Sequence, residues 1–125
     1  MSSALVPAHE PPYYAVVFTS RRTEGDNGYG ETAARLGRLA AGQPGFLGHE
    51  SVRDADGRGI TVAYFTDEEA IAGWRADERH AAARAYGREH WYEEYVLHVA
   101  RVERAYSFTR PGENTADSVD TTGPS

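Results

Sequence analysis

The side chains in this sequence that could do acid–base or metal chemistry are few enough to weigh one by one. Histidines stand at 9, 49, 80, 90 and 98, and there is no cysteine. Without thiols there can be no disulfide framework, no thiolate metal centre and no cysteine nucleophile. His49 and Glu50 are neighbours in a stretch that reads as a strand, so they point to opposite faces and cannot share an ion. His80 and His90 are separated by Gly87 at a spacing that is weak for a ligand pair, and His98 lies among apolar strand residues, where a hydrogen-bonded structural role is the ordinary one. His9 falls in the N-terminal segment. No metal site is expected. The stretch GREHWYEEY (Gly87–Tyr95) gathers arginine, histidine and tryptophan among glutamates, a mix from which active sites are often made. It also suits a corner, with Gly87 ending a helix and Trp91 and Tyr92 packing the turn onto the body. The loop EGDNGYG has neither the spacing of a dinucleotide-binding turn nor a Lys-Ser/Thr pair, and reads as a turn and helix cap.

The elements that must position these groups follow from pattern. Tyr13–Ser20 (YYAVVFTS) is a strand candidate that is apolar on both faces at its centre and therefore needs cover on both. Asp26 or Asn27 caps a helix with Tyr29, Ala33, Leu36, Leu39 and Ala40 on one stripe, stopped by Gln43-Pro44-Gly45. Phe46–Asp54 and Gly59–Phe65 form a hairpin around Ala55–Arg58. Thr66-Asp67-Glu68-Glu69 reads as a capping box opening a second helical region, with Ala70, Ile71 and Trp74 on its apolar face. A break is expected at Arg75–Asp77, then helix over Glu78–Tyr86, and a last strand over Tyr95–Val102. The order β-α-β-β-α-β is the split pattern of a ferredoxin-like α+β domain, with helices on one face of a four-stranded sheet. A partner subunit's sheet is the economical cover for the other face, so a homodimer is expected.

Composition narrows the function further. A chain of 125 residues is one domain's worth. Residues 1–12 read as a flexible N-terminal segment, 13–108 as the folded domain and 109–125 as a disordered polar tail. The start lacks the basic, then long apolar pattern of a signal peptide, and no apolar run reaches membrane-spanning length, so a cytoplasmic protein with no membrane partner is expected. A net charge of −6 argues against nucleic acid. All thirteen basic residues are arginine.

Separated blocks in order, namely YYAVVFTSRR, QPGFLGHESVRD, GITVAYF, AIAGW, ERH, GREHWY and VARVERAYSF, resemble the antibiotic biosynthesis monooxygenase family over about Tyr13 to Phe108. The resemblance implies a dimeric α+β barrel with a pocket between each sheet and its helices. It implies a cofactor-independent monooxygenase that oxidises a small aromatic or polyketide-like molecule with O2. Two alternatives within the same fold are a haem-binding or haem-degrading protein and a non-catalytic small-molecule-binding accessory dimer. The quinone-forming members carry Asn, Trp and Tyr where this chain has Thr61, Phe65 and Ile71, so only the Thr61 hydroxyl could still bond a substrate. The haem-degrading members use a histidine ten residues after a tryptophan; counting from Trp74 reaches Arg84, which has no lone pair for iron. The resemblance extends to a histidine at position 80, which becomes the expected general base. Phe65, Ile71, Trp74 and Trp91 are expected to line the pocket together with Thr61, and neither metal nor organic cofactor is expected.

Overall fold

The computed structural model describes residues 5–111; the expected C-terminal tail lies largely outside the described residues. The elements run β1 (Tyr13–Arg22), α1 (Tyr29–Ala41), β2 (Phe46–Arg53), β3 (Arg58–Phe65), α2 (Glu68–Ala76), α3 (Glu78–His90) and β4 (Tyr92–Val102). The strands form one sheet in the order β2-β3-β1-β4, antiparallel at every pairing. This is the ferredoxin-like α+β arrangement expected from the element order. Among the described residues, no helix is long and apolar enough to cross a membrane.

Register assigns each strand residue to a face, because paired residues in a ladder point the same way. One face carries Val16, Phe18 and Ser20 of β1, Thr61, Ala63 and Phe65 of β3, His49 and Ser51 of β2, and Tyr95, Leu97 and Val99 of β4. The helices lie on this side: Gly37 of α1 lies against the His49 ring, and Arg88 of α3 donates to the Tyr95 hydroxyl at 3.4 Å. The other face carries Tyr13, Ala15, Val17 and Thr19, with Ile60, Val62 and Tyr64, Glu50 and Val52, and Val96 and His98. His49 and Glu50 therefore do lie on opposite sides, and Tyr64 faces away from Thr61 and Phe65.

The core is small. Among the described residues, Tyr13, Ala15, Ala40, Phe65 and Trp91 are its buried apolar residues, and Phe65, 1 % exposed, is the one large side chain fully enclosed. The helix-free face is covered at one end by the chain's own N-terminal segment. Val6 lies over Gly48 and donates its N–H to the Glu50 carboxylate at 2.7 Å, while the His9 ring meets the Tyr13 ring edge-on at 5.7 Å. Tyr13 in turn meets Tyr64 at 5.9 Å. Burial raises the pKa of the Tyr64 hydroxyl, and the Glu50 carboxylate adds to the effect. Elsewhere on that face Val52, Ile60 and Val96 are 73, 42 and 56 % exposed, while Val17, Thr19 and Val62 are half-buried.

Three local expectations are corrected. The cap of α2 is Asp67, whose side chain accepts from the Ala70 N–H at 2.8 Å, one residue later than the Thr66 cap expected from the motif. Gly87 does not end α3, which continues to His90. A Cβ at Gly87 would stand 3.0 Å from the Tyr92 ring and 3.1 Å from the Trp91 ring, so the glycine permits close approach rather than a turn. The flanking strands are longer than their apolar cores, β1 to Arg22 and β4 from Tyr92, and the Arg21–Glu94 ion pair ties the added residues across the ladder.

Candidate functional site at the junction of α2 and α3

The break expected between the two helices is made by one residue. Asp77 leaves helical geometry (φ −59°, ψ 128°) and caps α3, its carboxylate accepting from the Arg79 N–H at 2.9 Å and the His80 N–H at 3.4 Å. The Arg79 guanidinium also donates to this carboxylate. These bonds, the side-chain one first, hold Asp77 at a pKa of about 2, below the usual carboxylate range. The kink folds α3 back so that its first turn meets the last turn of α2.

His80 is the residue this kink aims. Its ring stacks on the Trp74 indole, with centroids 4.2 Å apart and planes 15° apart. Its Nδ1 lies 3.0 Å from the Trp74 carbonyl oxygen. A carbonyl can only accept, so Nδ1 carries the proton and donates, and in the neutral ring Nε2 keeps its lone pair. Burial pushes the imidazole pKa below its ordinary value; the Trp74 bond opposes this, and the charges of Arg84 and Arg75 reinforce it. Near neutral pH the ring is therefore an uncharged base with a fixed tautomer.

The other expected site residues fall into separate groups. Phe65 is on the helix-facing side of the sheet, edge-on to Phe46 at 5.6 Å. Thr61 shares that side, and its hydroxyl shares a hydrogen bond with Ser51 at 2.7 Å. Ile71 is half-buried on α2, a turn before Trp74. Trp91 belongs to a different cluster: buried at the corner, it donates its indole N–H to the Asn27 carbonyl at 2.8 Å and meets Tyr29 and Tyr86 at 5.6 and 5.1 Å. Arg22 locks the same corner, donating to the Trp91 carbonyl at 3.1 Å and lying 3.9 Å over the Tyr29 ring. The structure thus joins His80 to Trp74 and sets Trp91 apart from them. A shallow hollow of about 350 Å³ lies at the start of α2, lined by Pro44, Gly45, Thr66, Asp67, Glu69 and Ala70. None of the expected site residues lines it. Among the described residues, no group of three or more histidine, aspartate and glutamate side chains could hold a metal ion.

Sequence reasoning weighed Arg84 only as an iron ligand and gave the arginines near His80 no role. Arg84 donates to the Arg75 carbonyl at 3.0 Å and Arg88 to the Tyr95 hydroxyl at 3.4 Å. The signal was present in the i, i+4, i+8 spacing of His80, Arg84 and Arg88, which puts all three on one stripe of α3.

A single antiparallel sheet in this order with helices on one side only defines a ferredoxin-like domain, and the stacked histidine lies at the kink between its last two helices. The sequence profile of the antibiotic biosynthesis monooxygenase family matches residues 12–86, and the chain belongs to that family. It is 57 % identical over 108 residues to YqjZ of Bacillus subtilis, itself an uncharacterized protein, covering 86 % of this chain and 92 % of that one. Solved structures share the fold. SnoaB, a cofactor-independent oxygenase from Streptomyces nogalater, superposes with a TM-score of 0.65 at 18 % identity, covering 76 % of this chain and 97 % of that one. Rv0793 from Mycobacterium tuberculosis superposes with a TM-score of 0.65 at 14 % identity over 74 and 98 % of the two chains.

Proposed function

We propose that this protein is a cofactor-independent monooxygenase acting on a small, electron-rich aromatic molecule, with His80 as its base and a second copy of the chain covering the bare face of the sheet. The observation that carries the reading is the bond from His80 Nδ1 to the Trp74 carbonyl, which leaves an uncharged Nε2 lone pair to accept a phenolic proton. Family membership supports the reaction class. The chemistry needs little else from the protein. A phenolate is itself a reductant for O2, so one aromatic C–H becomes C=O, one oxygen atom of O2 enters the ring and the other leaves as water. Phenol plus O2 gives quinone plus water, with His80 taking the hydroxyl proton and returning it to the departing oxygen. On the helix-facing side, Ile71 and Trp74 serve as apolar wall, with Phe65 enclosed behind them and Thr61 as a hydroxyl at the floor, and this lining excludes water from the reacting ring. Trp91 acts from the corner, fixing the end of α3 that precedes β4.

An oxygen electrode tests this with 1,8-dihydroxyanthrone as substrate and no added metal or flavin. Oxygen uptake above the buffer rate is expected, falling by roughly a hundredfold or more in His80→Ala, the usual reach of a positioned base. Equal rates for the two proteins would remove His80 from the chemistry. No uptake with this or other phenols would remove the oxygenase reading.

A further inference from the structure

Exposed apolar side chains are not scattered evenly over this molecule. Strand β4, 11 residues long, stands at one edge of the sheet with β1 as its single neighbour. It is exposed along most of its length, with Val96, Leu97 and Val99 at 56, 44 and 49 %, whereas β1 beside it is buried or half-buried from Tyr13 to Ser20. Residues 103–111 then leave β4 without a backbone hydrogen bond to the rest of the described chain, and they carry Tyr106 and Phe108 at 51 and 72 % exposure. The run Ala105-Tyr106-Ser107-Phe108-Thr109 alternates small and aromatic residues, as a strand with one covered face does, and Pro111 ends it by removing an amide donor. An arm patterned as a strand but lacking a sheet therefore follows directly on an edge strand lacking a neighbour. A long apolar edge is an open template for pairing.

The two features fit each other across a two-fold axis. When copies of one strand pair antiparallel about an axis normal to the sheet, opposed residues must point to the same face, so their numbers must sum to an even value. An arm that keeps the alternation of β4 puts Tyr106, Phe108 and Arg110 on the helix-free side, the side of Glu94, Val96 and His98. Setting Val102 opposite its own copy matches these residues one to one: Phe108 falls on Val96, Tyr106 beside His98 and Arg110 at Glu94. The small Ala105 and Ser107 then lie beside Val99 and Leu97 on the other face. The neighbouring even registers put Phe108 on Glu94 or Arg110 on Val96 and lose the charge match. Among the described residues Arg110 is in no ion pair, and Glu94 pairs with Arg21 alone. A buried Tyr or Phe covers roughly 150–250 Å², so two half-exposed anchors per chain supply a sizeable part of the ~800 Å² per partner that a stable contact needs.

We propose that β4 and residues 103–110 form the seam of a homodimer, each arm adding as a strand to the β4 edge of a second copy, with Phe108 on the partner's Val96 and Arg110 on the partner's Glu94. This deepens the function proposed above, on whose second copy it rests, by fixing where that copy attaches. Twisted sheets joined at an edge curl toward closure, which turns the two helix-free faces toward each other.

The chain has no cysteine, so single introduced thiols report the register. Opposed residues of an antiparallel ladder lie about 4.5–5.5 Å apart at Cα, within disulfide reach. Full-length Val102→Cys in a glutathione redox buffer should be trapped mostly as a disulfide-linked dimer on a non-reducing gel. Ser107→Cys, whose two copies stand far apart in this register, should run mostly as monomer. Mixing Tyr106→Cys with His98→Cys should give the mixed dimer in preference to either homodimer. In sedimentation equilibrium, Tyr106→Ser/Phe108→Ser should dimerise roughly a hundredfold more weakly, the loss of two apolar anchors; both side chains are exposed in the single chain, and thermal denaturation checks that the fold persists. Trapping of Val102→Cys no better than that of Ser107→Cys, or undiminished association of the double variant, would overturn the seam. A sedimenting dimer without that trapping would sink the seam alone. Trapping that persists in Ile60→Asp would sink the covered sheet face and support the seam. A chain that stays monomeric at every concentration, its arm free for a foreign strand, would remove both.

Discussion

The two faces of this one sheet are made from alternating residues of the same four strands, and they meet opposite ends. On the helix-free face, Glu50 accepts from the N-terminal segment and Tyr13 and Tyr64 pack under it, while His9 Nε2 is buried without a partner and His98 stays exposed. What remains there is Val52, Ile60 and Val96, apolar and bare. On the helix-facing side the leftover groups are the reverse, a histidine lone pair and arginines unmatched by carboxylates. The function proposed above assigns the exposed valines and isoleucine of the first face to a subunit contact and the histidine lone pair of the second to a small aromatic molecule. Period-two alternation lets one strand serve both.

The largest expected effect lies on the helix-free face. Ile60→Asp or Val96→Asp would bury an unpaired carboxylate in a subunit contact, so sedimentation should shift from dimer to monomer. If the face is solvated in a lone chain, the same exposed substitutions should change stability by only about 0.5 kcal/mol, and the contrast between the faces would collapse.

Next comes the core that separates them. Phe65→Ala should lower stability by roughly 3–5 kcal/mol in urea denaturation, because the ring is fully enclosed and its neighbours are held by the sheet. Gly87→Ala should cost about 1–3 kcal/mol by pushing its Cβ into the Tyr92 and Trp91 rings. Were Gly87 merely a helix end, alanine would be nearly neutral there.

The smallest effects are those of pH, and they belong to the helix-facing side. A depressed His80 pKa means the unfolded chain takes up the proton first, so the folded state loses stability as pH falls below about 6.5, the ordinary imidazole value, until the folded ring also protonates. Asp77 acts in a lower window: its folded pKa of about 2 gives stability that is present above the usual carboxyl range and is lost as pH falls toward 2. Thermal melts of His80→Ala should lack the first loss and keep the second.

The sequence was legible wherever the signal was local. Alternation and turn residues marked four strands, and Asp77 with its neighbours marked the kink that aims His80. Gly87 was misread because its reason is not local: two rings from beyond the helix end press on it. The Thr66 cap was misread because two adjacent residues can both cap, and only geometry chooses. The prolonged ends of β1 and β4 depend on a cross-strand ion pair that no window along one strand can see. At the site, the positions of Trp74 and His80 could be read, but their stacking required the kink, and the exposure of Leu97 and Val99 required knowing where α3 fails to cover β4.

The central claim is that His80 rests as a neutral base with Nε2 open. Long-range ¹H–¹⁵N correlation spectra of the histidine rings at pH 7 measure this directly, with His80→Gln to assign the signals. The account predicts a protonated Nδ1 and an unprotonated Nε2 for His80. A ring protonated at Nε2, or at both nitrogens, would contradict it.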